Sequence, residues 1–166
     1  MDNLPELSLY VHLPWCDKKC PYCDFNITTD SLSDSVRELF NALKNDLDQS
    51  EPLINQRPFK SIYFGGGTPS KVPTNFIKDF LDFLHSKFKV VLNCEVSFEA
   101  NPIDLTSDYI AELKDSGINR MSVGIQSFDD QYLGSLGRNH NASDSLKALR
   151  LLSDSELIGT IDLIYG

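Results

Sequence analysis

The sequence predicts an α/β fold of parallel strands with outer helices. Five short apolar, β-leaning runs alternate with helical patterns along the 166 residues, which is the signature of βα units joined by right-handed crossovers. Most runs are near-continuously apolar, as expected for parallel strands covered on both faces. Polar, glycine-rich and cysteine-rich motifs follow the runs directly, where parallel sheets and barrels bind their ligands.

The elements follow in order. The first run covers 7–14 and ends at Pro14. A helix over 33–49 places Val36, Leu39, Phe40, Leu43 and Leu47 at spacings of three and four. The second run is 61–65, and a helix over 74–88 repeats the pattern with Ile77, Phe80, Leu81 and Leu84. After the third run, 94–100, Thr106 opens a helix in a cap-like context and Gly117 stops it. The fourth run, 120–127, leads to shorter helices over 129–136 and 143–152, then to the last run, 158–165. A terminal parallel strand leaves an unprotected sheet edge, so a longer protein is expected. There is no fixed-period repeat and no low-complexity tract.

Composition fits one ordinary domain. Apolar residues make up 41%, and a compact chain of this length buries roughly 70% of its unfolded surface. No apolar run approaches the ~20 residues needed to cross a bilayer. The opening MDNLPELSLYVHLP has acidic residues and proline where a signal peptide carries Lys or Arg. A cytoplasmic protein is expected. Net charge is −9, with 15 basic residues scattered among 24 acidic ones. That balance argues against nucleic acid as the main partner, since phosphate binding needs clustered Lys and Arg.

Three of the four cysteines fall within eight residues, and in a cytosolic chain such clustering favours metal binding over disulfides. YVHLPWCDKKCPYCDF sets Cys16, Cys20 and Cys23 in a C-x3-C-x2-C pattern directly after the first strand. Iron–sulfur clusters usually take four cysteines, so three thiolates on a cubane leave one iron for an outside ligand. Lys18 and Lys19 place positive charge beside an anionic cluster. The competing reading is zinc, whose structural sites want four ligands; His12 or Cys94 would have to complete the set. Cys94, in an apolar stretch, is otherwise expected as a small buried side chain.

The other motifs each carry two readings. Gly65-Gly66-Gly67-Thr68-Pro69-Ser70 permits close backbone approach to a ligand, or is a tight turn; it is neither a P-loop nor a dinucleotide loop. Glu99, in EANP, accepts hydrogen bonds from a diol or sits at a solvated loop edge. Gln126, in GIQSF, ends the fourth run with a donor and an acceptor. Arg138, in LGRNH, has a planar fork suited to a carboxylate, or is an ordinary surface arginine. Asp162 lies among Ile161, Leu163 and Ile164 and needs a partner if buried. His12 is expected to point inward with Tyr10, either near the metal or as a packed, hydrogen-bonded side chain. His85 reads as surface, and His140 as orienting the loop beside Arg138.

Together LYVHLPWCDKKCPYCDFN, YFGGGTPS, FEANP, GINRMSVGIQSF, LGRNH and DLIYG, running in that order from Tyr10 to Gly166, resemble the coproporphyrinogen dehydrogenase and HemW group of radical S-adenosylmethionine (SAM) proteins. The resemblance implies a (β/α)6 barrel of which residues 1–166 are the N-terminal part, with five strands; the rest of the barrel and a C-terminal domain lie outside. It implies a [4Fe–4S] cluster on Cys16, Cys20 and Cys23, its fourth iron chelated by the amino and carboxylate groups of SAM. It places Tyr10, Tyr22, Gly66, Gly67, Thr68, Glu99, Gln126, Arg138 and Asp162 around SAM. In that family the cluster passes an electron to the sulfonium, giving methionine and a 5′-deoxyadenosyl radical, while the protein supplies position and electronics. No catalytic residue is assigned.

Within the group, the dehydrogenases carry a further cysteine two positions after the third, where this sequence has Phe25, and a longer segment before the cluster. Both departures resemble the HemW type, regarded as a haem chaperone. That type implies haem as cargo, bound after residue 166, with haem-accepting proteins and an electron donor as partners. A homodimer or a peripheral membrane contact is compatible with it. The alternative is an oxygen-independent coproporphyrinogen III dehydrogenase, which decarboxylates propionates in porphyrin biosynthesis.

Overall fold

The structure, a computed structural model, describes residues 4–30 and 35–165. Five parallel strands form one sheet in chain order: β1 (Leu7–Leu13), β2 (Phe59–Gly66), β3 (Val90–Ala100), β4 (Arg120–Gln126) and β5 (Ile158–Leu163). Between them run α1 (Ser35–Ile54), α2 (Thr74–Lys87), α3 (Ser107–Asp115), α4 (Asp130–Ser135) and α5 (Ala142–Asp154). Sequential order with helical crossovers is the arrangement of a partial barrel. The expected start of the first helix at Ser33, and the last residue of the DLIYG motif, Gly166, lie outside the described residues.

One expectation needs correction. The strands are not apolar on both faces. Val11, Leu13, Ile62, Phe64, Val96, Phe98, Met121 and Val123 form an apolar face buried with the helices. There Phe80 of α2 stands 5.8 Å from the Phe40 ring and 6.0 Å from Phe64, in edge contacts. The alternate positions line a polar concave face. Ser8 and Ser61 share a 2.8 Å hydrogen bond. Arg120 bridges Ser97 and Thr160 at 3.2 Å each. Ser122 donates to both carboxylate oxygens of Asp162, at 3.2 and 3.1 Å. Among the described residues no helix covers this side, so its buried hydroxyls are satisfied across strands.

Several boundaries differ for local reasons. Strand β3 starts four residues before its apolar run because the β2–β3 register shifts after the Phe59–Val90 pair, leaving Leu92 fully exposed at 100%; a bulge of this kind breaks the pattern that marks a strand. Helix α1 continues to Ile54, past Pro52, since Leu47 and Ile54 prolong its buried stripe. Asn55 and Gln56 then end it at φ 50° and 63°. Thr106 caps α3 as expected, accepting from the Tyr109 amide, and Gly117 follows at φ 105°. Asn141 and Asp144 close a capping box on α5. Cys94 is buried, as expected.

Candidate functional site

A cavity of about 350 Å3 opens beyond the carboxyl ends of the strands. Cys16, Cys20, Tyr22 and Cys23 line it from the loop after β1. Gly66, Gly67 and Thr68 line it from the end of β2, and Glu99, Gln126 and Asp162 from β3, β4 and β5; Arg138 reaches it from the loop after α4. Residues up to 146 positions apart, from Cys16 to Asp162, thus share one space. Tyr10 is the exception: it stands on the concave face with its ring 6.1 Å from Tyr63, off the cavity wall.

The glycine turn is built to meet the cysteine loop. Gly67 N–H donates to Leu13 O at 2.8 Å, and Thr68 N–H to Trp15 O at 2.7 Å. A Cβ on Gly67 would lie 2.6 Å from the carbonyl oxygens of Pro14 and Trp15, and one on Gly66 2.7 Å from the His12 ring. Gly66 also takes φ 117°, a left-handed conformation that favours glycine. The hydroxyl of Thr68 contacts Cys16 Sγ at 3.4 Å. Burial pushes the Cys16 thiol up, and the Cys23 and Cys20 thiols add to this against the Thr68 bond.

The cysteine loop is pinned at both ends. Cys16 N–H donates to Thr28 O and Thr28 N–H to Pro14 O, each at 2.9 Å, beside the buried Trp15. His12 does point inward with Tyr10 and is hydrogen-bonded: its ring joins Tyr10 Oη at 3.1 Å and Asn26 O at 2.8 Å. From the other side Asn139 donates to Asp17 at 3.3 Å, and Lys71 pairs with Asp17 at 2.7 Å. All four cysteines are free thiols. Among the described residues no three His, Cys, Asp or Glu side chains converge on a single-ion position. The fourth ligands a zinc site would need are committed elsewhere, His12 to Tyr10 and Asn26, Cys94 to the core.

Opposite the thiols, Glu99 accepts from Tyr63 Oη at 2.7 Å and from the Gly66 amide at 3.2 Å. Burial raises its pKa against those two hydrogen bonds, and nearby Asp162 raises it further. Arg138 is aimed by a Schellman turn. Arg138 N–H donates to Leu133 O and Gly137 N–H to Gly134 O, with Gly137 at φ 69°. Its guanidinium then donates to Gly124 O at 2.8 Å, Asn101 Oδ1 at 3.2 Å and Tyr22 Oη at 3.3 Å. Its Nε is buried without a partner among the protein groups. His85 is exposed on α2, whereas His140 is buried.

The radical SAM superfamily matches residues 10–166. This chain belongs to the radical SAM superfamily. Among curated relatives, the haem chaperone HemW of Escherichia coli is 37% identical over 169 residues, covering all of this chain and 44% of its own length. HemW of Bacillus subtilis is 34% identical over 96% of this chain and 42% of its own. Mouse radical S-adenosyl methionine domain-containing protein 1, mitochondrial, is 36% identical over 96% of this chain and 36% of its own. The chain thus spans less than half the length of these relatives. Among solved structures, E. coli coproporphyrinogen III oxidase HemN, described as a radical SAM enzyme, superposes with TM-score 0.87 at 28% identity. That match covers 97% of this chain and 37% of HemN.

Membership in the radical SAM superfamily implies a [4Fe–4S] cluster and SAM, and the donor set fits both. Three free, half-buried thiols share a loop with no fourth cysteine on the cavity wall. The guanidinium of Arg138, which lines the same cavity, suits an anionic group. Sequence reasoning gave no role to Tyr63, Asn101 or Asn139, although Tyr63 stands next to the glycine turn at the same alternation as Tyr10. Among the described residues no helix is long and apolar enough to cross a membrane.

Proposed function

We propose that this chain is the cofactor-binding front of a HemW-type haem chaperone working in the cytoplasm. Cys16, Cys20 and Cys23 hold the cluster, and Tyr22, Gly66, Gly67, Thr68, Glu99, Gln126, Arg138 and Asp162 enclose SAM. Tyr10 contributes from the wall below, through His12 and Tyr63. The observation that carries this reading is the single cavity in which three thiols face strand-end donors and acceptors. The cluster, when bound, supplies an electron and one open iron for SAM. The chain supplies position: Glu99, oriented by Tyr63 and Gly66, accepts from a ribose diol, and the positive charge of Arg138 on the cavity wall faces a carboxylate. Haem, bound beyond residue 166, is passed to haem-requiring acceptor proteins, with a cellular electron donor serving the cluster.

Phe25 favours the chaperone over coproporphyrinogen decarboxylation. It lines the cavity, 57% exposed, at the position where the dehydrogenases resembled here have a further cysteine. The test uses full-length protein prepared without oxygen. Iron and sulfide are counted, SAM and haem are titrated, and coproporphyrinogen is supplied under reducing conditions. The expected result is about four irons and four sulfides per chain, haem binding, and coproporphyrinogen left unconsumed. Protoporphyrinogen among the products would reverse the choice.

A further inference from the structure

The loop that carries Arg138 also carries a group the proposed cofactor contacts leave unused. His140 is 6% exposed. Its Nε2 lies 3.0 Å from the carbonyl oxygen of Ile125. Since a carbonyl only accepts, Nε2 bears the hydrogen, and Nδ1 is buried without a protein partner. Burial, and then the Arg138 charge, lower the imidazole's pKa.

The same carbonyl has a second donor. Ser127 N–H reaches Ile125 O at 2.9 Å, and the residue between, Gln126, sits at φ 69°. An i to i+2 hydrogen bond around a residue with positive φ is the rare, strained form of the γ-turn. Strain of this kind persists only where the surroundings over-determine it, and it concentrates at ligand sites. Gln126 is such a position: it ends β4 on the cavity wall, and its side-chain nitrogen folds to 3.1 Å from where a Cβ on Gly124 would lie. Ile164 N–H closes on Gln126 O at 2.9 Å from the other side.

We propose that His140 is a positioning residue for the SAM site: its Nε2–H clamps the Ile125 carbonyl and so holds the γ-turn that aims Gln126 into the cavity. The inference rests on the cofactor reading above for what Gln126 meets, but not for the clamp itself. The clamp also gives the Arg-Asn-His order of the loop a reason. The Schellman turn at Gly137 sends Arg138 to the Gly124 carbonyl, and His140, two residues on, reaches the next carbonyl along the chain, that of Ile125. One loop therefore fixes the end of β4 at two points.

The test compares His140→Leu, which removes the donor, with His140→Gln, whose amide nitrogen extends about as far as Nε2. Both are made in full-length protein with a reconstituted cluster. Iron content is expected to match wild type in both. SAM affinity should fall about tenfold in the leucine variant, where the Ile125 carbonyl keeps only the strained γ-turn donor and loses one hydrogen bond, and return to within roughly twofold of wild type with glutamine. Wild-type SAM affinity in a folded, iron-replete leucine variant overturns the proposal. If the leucine variant does not fold, His140→Asn replaces it, because its shorter amide cannot reach Ile125; equal SAM affinities for Asn and Gln then overturn it. If wild-type protein binds no SAM, the cofactor reading fails and the clamp is tested alone. Gln126→Gly, which tolerates φ 69°, should recover part of the thermal midpoint lost in His140→Leu, and no recovery overturns the clamp.

Discussion

The Tyr63 hydroxyl stands 2.7 Å from Glu99 Oε1, while the Gly66 amide takes Oε2 at 3.2 Å. The two donors come from one strand and the acceptor from its neighbour, so the end of β2 orients the carboxylate of β3 before any ligand arrives. Burial lifts the Tyr63 phenol far above its ordinary range, and the Glu99 bond lifts it further. The phenol is therefore a permanent donor at neutral pH.

Removing that hydroxyl leaves Glu99 with only the amide. Tyr63→Phe is expected to weaken SAM binding about three- to tenfold, the effect of one typical hydrogen bond, with iron and sulfide unchanged. Equilibrium dialysis of anaerobic protein reads the first and chemical analysis the second. Loss of the cluster along with SAM would make Tyr63 a structural residue only.

The cysteine loop is fastened by backbone hydrogen bonds at Cys16, Cys23 and Thr28, to which the Cys20 thiol adds only its contact with the neighbouring Tyr22. Cys20→Ala is thus expected to leave the fold intact and abolish the broad visible absorbance after anaerobic reconstitution. Retention of about four irons per chain would refute the cysteine assignment.

Much of this was readable in the sequence where the cause is local. Thr106 caps α3 and Gly117 ends it because capping needs only neighbours. The motif order placed most cavity residues at or just beyond the carboxyl ends of strands, where parallel sheets bind ligands; Arg138 comes instead from the loop after α4. What sequence could not give depends on distant partners. The fork of Arg138 looked free for a ligand, yet Asn101, Gly124 and Tyr22 occupy its terminal nitrogens. The polar concave face was hidden because Tyr63, Ser97 and Ser122 are flanked by large apolar residues, and a few hydroxyls within such runs read as continuous hydrophobicity. His140 reads in the sequence as orienting the loop beside Arg138, but its target carbonyl, 15 residues back in the chain, does not.

Two glycines separate backbone freedom from space. Gly67→Ala would drive a Cβ to 2.6 Å from two backbone oxygens of the cysteine loop, whereas a Cβ on Gly134 meets nothing within 4 Å. Backbone cannot yield as a flexible side chain does, so Gly67→Ala should cost about 1–3 kcal/mol and lower iron occupancy. Gly134→Ala, in α4, should gain up to about 1 kcal/mol from helix propensity and keep its iron. Urea midpoints and iron counts on the pair check both. Equal midpoints would show that the glycine turn and the cysteine loop are not in register as described.

The buried imidazole of His140 makes a sign-definite pH prediction. Its pKa in the fold lies below the ordinary 6.5, chiefly through burial and then through Arg138, with the Ile125 hydrogen bond and Asp144 opposing. As pH falls below 6.5, the unfolded chain takes up the proton first, so the contribution is complete above 6.5 and is lost as pH drops toward the folded value. Glu99, whose pKa is raised, acts in the opposite sense: its penalty appears as pH rises above the ordinary 4.5. Comparing variants isolates the histidine. Between about pH 7.5 and 5.5, the cluster-free protein should lose more urea stability than His140→Gln, which does not titrate there. The wild-type curve should converge on or cross the variant's at the acid end. Parallel curves across the window would mean that His140 is as easily protonated in the fold as in water, and the Nε2–H clamp on Ile125 could not then be a neutral imidazole's.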